Sequence, residues 1–275
     1  MKKIVAPTDY STTSVNAVNY AADLACAVNA DLTIIHVFTI PVTYGEVPVQ
    51  EFSAKEIFEG AEESMNILRK KIVARVGEKI KIHTELIEGD VVVSIKDYCK
   101  SVQPYAVVMG SESGNAYERF LFGAKTVSAM KRLSWPLLVV PPEAKFESIQ
   151  KIGLACDLKE VIGSTPVDEI KNLVNEFKAE LHILHVDTKH PGSFKAETIT
   201  ESGWLQEMLS GLKPQYDFIE GDDVEEEINR FAEKNKLDLL IVIPKKRHFV
   251  DKIFQHSHSK RLVLHTHVPV MAVHE

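Results

Sequence analysis

The sequence predicts an α/β protein of two tandem domains, each a five-stranded, mainly parallel sheet with helices on both faces. Three observations lead there. Short runs rich in Val, Ile and Leu alternate with longer amphipathic stretches. Those runs lack polar alternation, as do strands buried on both faces. The second half of the chain also repeats the first, block by block and in the same order.

The repeat sets the domains at residues 1–143 and 149–275. "KKIVAPTDYS" answers to "QKIGLACDLKE", which pairs Asp9 with Asp157. "NADLTIIHVFT" answers to "KAELHILHVDT", and "IEGDVVVSIKDYCKSVQPYAVVMG" to "IEGDDVEEEINRFAEKNKLDLLIVIP". "SWPLLVVPPE" answers to "HVPVMAVHE". Two cores of ordinary size fit within 275 residues.

In the first copy "KIVAP", "DLTIIHVF", "KIKIHTELI", "YAVVMG" and "PLLVVP" read as strands. Helices fill the gaps at Ser14 to Asn29, Ser53 to Val76, Val91 to Gln103 and Ala124 to Leu133. The cluster "STTS" supplies hydroxyls to cap the first helix. Pro104 closes the third by removing a donor and restricting its predecessor. In such a sheet, ligands sit beyond the C-terminal ends of the strands, where strand order reverses. Two stretches therefore belong on one rim: "PTDYS" after the first strand and "MGSESGNAYERFLFGAKT" after the fourth.

Composition narrows the function. A net charge of −7 and a pI near 5.9 argue against broad nucleic-acid binding, which needs a concentrated basic face. No apolar run approaches the roughly 20 residues of a membrane span, and "MKKIVAPTDYS" is too polar for a signal peptide, so the expected location is cytoplasmic. Cys26, Cys99 and Cys156 lie far apart without a CxxC pair and read as buried thiols.

The blocks "IVAPTDYS", "LTIIHVF", "IEGD", "AVVMGS" and "LFGAKTVSAMKRLSWPLLVVP", with their partners in the second copy, resemble the universal stress protein family in its tandem form. The resemblance implies Rossmann-like domains of the adenine nucleotide alpha hydrolase-like type. It also implies a stress-response protein of binding or signalling kind, and an intramolecular pseudo-dimer whose closing strands meet; a further homodimer stays open. ATP-binding members use an aspartate after the first strand, a backbone group on the second, and a loop of glycine, two residues, glycine, nine residues, glycine, then serine or threonine. Carried over, Pro7, Thr8, Asp9 and the Val37 backbone would hold the nucleoside of ATP or another adenine nucleotide. Gly110, Ser111, Ser113, Gly114, Gly123, Ala124, Lys125 and Thr126 would face its phosphates, with Mg²⁺ or Lys125 offsetting Glu112 and Glu118.

This sequence departs from the pattern at two places. The middle glycine is Gly114, and Ser113 stands where it belongs; Ala124 replaces the hydroxyl after Gly123, leaving Thr126 as the nearest one. Two readings of the loop stay open, a phosphate cradle and a glycine turn kept for chain geometry. The corresponding loop of the second copy has no glycine, and Pro244 stands opposite Gly110, so an ATP site of the same design is not expected there. That half reads as a scaffold or the seat of another ligand. His256 and His258 are its candidate zinc ligands, set against a polar loop. His36 and His185 occupy equivalent strands and read as repeated core or rim residues. A slow ATPase and a nucleotide-free scaffold are the competing functions.

Overall fold

The structure, a computed structural model, describes residues 1–40, 54–111, 125–187, 196–244 and 266–274. The first half runs β1 (Lys2–Pro7), α1 (Thr12–Val28), β2 (Ala30–Phe38), α2 (Ala54–Val76), β3 (Ile82–Glu88), α3 (Val91–Val102), β4 (Ala106–Gly110), α4 (residues 125–132) and β5 (Leu137–Val140). The second runs β6 (Lys151–Ala155), α5 (Val161–Ser164), α6 (Val167–Phe177), β7 (Glu180–Asp187), α7 (Ala196–Met208), β8 (Gln215–Glu220), α8 (Val224–Asn235), β9 (Leu239–Val242) and β10 (Val270–Ala272). The expected elements of the first half are present, with ends shifted by a few residues.

All ten strands form one sheet in the order β3-β2-β1-β4-β5-β10-β9-β6-β7-β8. Every pairing is parallel except the central one, where Val139 faces Val270 and Leu138 faces Met271 in antiparallel register. The closing strands are thus each other's cover. Leu137, Leu138, Val139, Val140, Val270 and Ala272 are at most 1% exposed, and burying such a side chain stabilises by about 1.5–3 kcal/mol. A Lys2–Glu176 ion pair also links the two halves.

Two apolar layers sandwich the sheet. One is built with α1, α2, α6 and α7, the other with α3, α4 and α8. Ala17, Ala21, Ala22 and Ala25 line the buried side of α1, and side chains this short let the helix approach the strands closely. Ser11 caps α1, its hydroxyl accepting from the Ser14 N–H at 3.2 Å. Asp90 caps α3 through the N–H groups of Val92 and Val93. In the second half the additional Asp222 moves that duty to Asp223, which accepts from Glu225 and Glu226.

The halves differ at their first helix. Pro166 splits the counterpart of α1 into α5 and α6, because Thr165 before it is driven to extended backbone (φ −100°, ψ 116°). Of the three thiols only Cys99 is fully buried, with Cys26 and Cys156 half-buried. Burial pushes the Cys99 thiol up to about 12, leaving it unreactive.

Candidate functional site

Strand order reverses between β1 and β4, so the crevice lies above their C-terminal ends. There the chain leaves β1 through Thr8, Asp9 and Tyr10 and enters α1. The buried Thr8 continues the ladder, its N–H donating to Ile35 O at 2.8 Å. Its hydroxyl lies 3.0 Å from Ser14 Oγ and accepts the Tyr10 N–H at 3.0 Å. Tyr10 takes a left-handed conformation (φ 64°), uncommon for a bulky residue. Two contacts hold it there: its hydroxyl donates to Ala61 O on α2 at 3.0 Å, and its ring lies 4.4 Å from that of His36.

Asp9 is exposed on this turn. One of its carboxylate oxygens accepts the Ser11 N–H at 3.0 Å, and its own N–H reaches Ser14 Oγ at 3.3 Å. Burial alone would raise its pKa, but hydrogen bonds from the Ser11 and Ser14 hydroxyls and from backbone N–H groups outweigh that and hold it below 3.8. The carboxylate is therefore ionised at neutral pH.

Val37 is placed by register. Ile35 O faces β1, where it receives Thr8, and Phe38 O faces the opposite edge, where it receives Gly89 at 3.0 Å. Backbone groups alternate sides along a strand, so the N–H and C=O of Val37 point toward β1 at a level where β1 has ended. Among the described residues no backbone group pairs with them, so a donor and an acceptor sit beside the Asp9 turn.

Pro7 ends β1, and Gly110 ends β4 against the first turn of α1. A Cβ at Gly110 would meet Thr13 Cγ2 at 2.8 Å and Thr13 O at 3.0 Å. Helix packing therefore demands that glycine whatever the site holds. The Ser111 N–H extends the ladder to Val140 O at 2.8 Å. Lys125 is exposed, whereas Thr126 is buried with its hydroxyl on Gly110 O at 3.3 Å. Ser113, Gly114, Gly123 and Ala124 lie outside the described residues, as do His256 and His258. Among the described residues no cluster of His, Cys, Asp and Glu could hold a metal ion.

The same turn recurs in the second half. Leu158 is left-handed (φ 49°), Asp157 accepts the Lys159 N–H at 3.2 Å, and the Cys156 N–H reaches Leu184 O at 3.0 Å. The lining differs: Cys156 stands for Thr8, while Glu160, which makes no side-chain cap, and Gly163 stand for Ser11 and Ser14. The hydroxyls have given way to a thiol, a carboxylate and a glycine.

Tyr10 and the serines around Asp9 were missed as site residues by sequence reasoning. No pattern marks a left-handed tyrosine, whose counterpart Leu158 shares only its backbone. The repeated strand histidines were the one visible signal for the His36 contact.

The universal stress protein family's sequence profile matches residues 1–141 and again 149–274. The chain belongs to the universal stress protein family. A universal stress protein of Methanocaldococcus jannaschii is 30% identical over 147 residues, covering 52% of this chain and 84% of that protein. Among solved structures, a universal stress protein from Archaeoglobus fulgidus DSM 4304 is similar along 99% of this chain and 96% of its own, with 18% identity and a TM-score of 0.71. A protein of unknown function from Pseudomonas aeruginosa PAO1 is similar along 100% of this chain and 92% of its own, with 13% identity and a TM-score of 0.62. At those identities the structural likeness speaks for the fold of this universal stress protein and for nothing further. No helix among the described residues is long and apolar enough to cross a membrane.

Proposed function

We propose that this is a cytosolic stress-response protein of binding or signalling type that takes ATP or a related adenine nucleotide, with Mg²⁺, on the rim of its N-terminal half. One juxtaposition carries the reading: the Val37 backbone edge, without a partner among the described residues, beside the ionised Asp9 carboxylate, at the point where strand order reverses. An adenine edge needs one donor and one acceptor, which Val37 offers. Ribose hydroxyls need an acceptor, which Asp9 supplies. The N-terminus of α1 opens at the same rim, and its partial positive charge favours phosphate. The residues present therefore fit the group, and Lys125 adds an exposed cation.

The second half keeps the turn without the hydroxyls, and Pro244 follows β9 where Gly110 ends β4. We assign it no nucleotide of this kind. A nucleotide-free scaffold is the second reading, favoured by the packing of Gly110 on Thr13, which explains that glycine without any ligand.

Equilibrium dialysis of labelled ATP with Mg²⁺ against the wild type and Gly123→Val, with phosphate release followed in parallel, separates the readings. Retention lost in the variant and no release support binding. Release supports hydrolysis, and no retention by either protein supports the scaffold.

A further inference from the structure

The turns that present Asp9 and Asp157 share their local bonds. Thr8 Oγ1 accepts the Tyr10 N–H at 3.0 Å, as Cys156 Sγ accepts the Leu158 N–H at 3.4 Å. Each aspartate accepts the N–H two residues on, from Ser11 at 3.0 Å and from Lys159 at 3.2 Å. Both turns also need a left-handed residue, φ 64° at Tyr10 and 49° at Leu158. That conformation is costly for a residue with a Cβ, and each turn adds a hold from outside itself.

The two holds differ in kind. Leu158 is 2% exposed and packs into the core, so burial of an alkyl group fixes it. Tyr10 is only half-buried. Its ring rests 4.4 Å from that of His36, and its hydroxyl donates to Ala61 O at 3.0 Å, across 51 residues of chain. Ala61 is the first buried residue of α2, since positions 54–60 before it are exposed or half-buried. The hydroxyl therefore grips α2 where that helix enters the core.

What this grip controls is the direction of a carboxylate. Asp9 precedes Tyr10 in the chain whereas Ser11 and Ser14 follow it, so rotation at Tyr10 draws the Ser11 N–H off Asp9 Oδ1 and Ser14 Oγ off the Asp9 N–H. We propose that Tyr10 is a positioning residue: through its bond to Ala61 on α2 it aims the Asp9 carboxylate at the ribose hydroxyls, so that the preference for ribose over deoxyribose is set by where α2 lies. The inference rests on the nucleotide site proposed above and adds a control point to it. A shift of α2 reaches the ribose contact but leaves the Val37 edge in place, because pairing with β1 and β3 holds β2. The second half has no such control, since Leu158 carries no hydroxyl.

Equilibrium dialysis of the full chain with ATP and with 2′-deoxy-ATP, each with Mg²⁺ and well below the melting temperature, tests this. Wild type should favour ATP. Tyr10→Phe keeps the ring and loses the hydroxyl; it should weaken ATP about three- to tenfold, the range one hydrogen bond is worth, and 2′-deoxy-ATP less, so that the preference shrinks. A residue that only stabilises the fold would lower the melting temperature and leave the preference as it was. Carbon NMR of the Asp9 carboxyl without nucleotide reads the positioning by itself. Its pKa, held below 3.8 by hydrogen bonds, should climb toward that value in Tyr10→Phe as those bonds slacken. An unmoved titration, or equal loss of both nucleotides, overturns the positioning. Wild type that binds neither nucleotide overturns the site on which the ribose claim rests, an outcome that the titration keeps apart from a failure of the positioning.

Discussion

His36 Nδ1 lies 2.8 Å from the carbonyl oxygen of Thr8. In the other half His185 Nδ1 lies 3.0 Å from that of Cys156. A carbonyl only accepts, so the proton resides on Nδ1 in both rings. Each imidazole anchors the end of the first strand, and with it the turn that presents Asp9 or Asp157. Replacing His36 by Leu should cost about 1 kcal/mol, the net worth of one such hydrogen bond, and His185→Leu should cost a similar amount. Urea unfolding curves read this as a lowered midpoint at unchanged slope. If only one of the two matters, the anchors are not equivalent.

Tyr10 ties the turn to α2. Burial pushes its phenol from 10.0 up to about 12. The raised value means that the folded state holds the proton more tightly than the unfolded chain. Its contribution is therefore full below pH 10.0 and is lost as pH rises through about 12. Tyr105 and Tyr216, also raised to about 12 by burial, act in the same direction. Tyrosinate absorbance from these residues should appear together with unfolding in alkaline titration. Tyr10→Phe removes the bond to Ala61 O and should cost about 1 kcal/mol at neutral pH.

Gly110 has a packing duty separable from any ligand. Gly110→Ala pushes a Cβ onto the side chain and backbone oxygen of Thr13, an overpacking worth about 1–3 kcal/mol. Thermal unfolding without nucleotide should show the full loss. Thr13→Ser in the same chain should restore only part of it, because the contact with Thr13 O at 3.0 Å remains. Full stability in Gly110→Ala would place α1 farther from β4 than described here.

The fold was legible because its signals are local and repeated. Apolar runs such as "YAVVMG" and "PLLVVP" have strand length, Ser11 of "STTS" and Asp90 of the first "IEGD" cap helices, and the duplication makes each half a check on the other. The single ten-stranded sheet follows from two apolar closing strands that would otherwise be exposed edges. The site was only half legible. The stretch holding Asp9 is placed on the rim by a rule of topology, whereas Val37 came only with the family resemblance. The Tyr10 conformation, the Ser11 and Ser14 hydroxyls around Asp9 and the inward turn of Thr126 depend on packing between distant elements, which periodicity does not encode. The Asp222 insertion that moves the α8 cap to Asp223 was visible only as a drift in the repeat spacing.

Calorimetric titration of ATP with Mg²⁺ into the intact chain, beside Asp9→Ala and Asp157→Ala, tests the central claim most directly. One site per chain, lost in Asp9→Ala and kept in Asp157→Ala, is the predicted result. No heat of binding in the wild type, or binding lost only in Asp157→Ala, would contradict it and leave the N-terminal rim a turn held together for its own geometry.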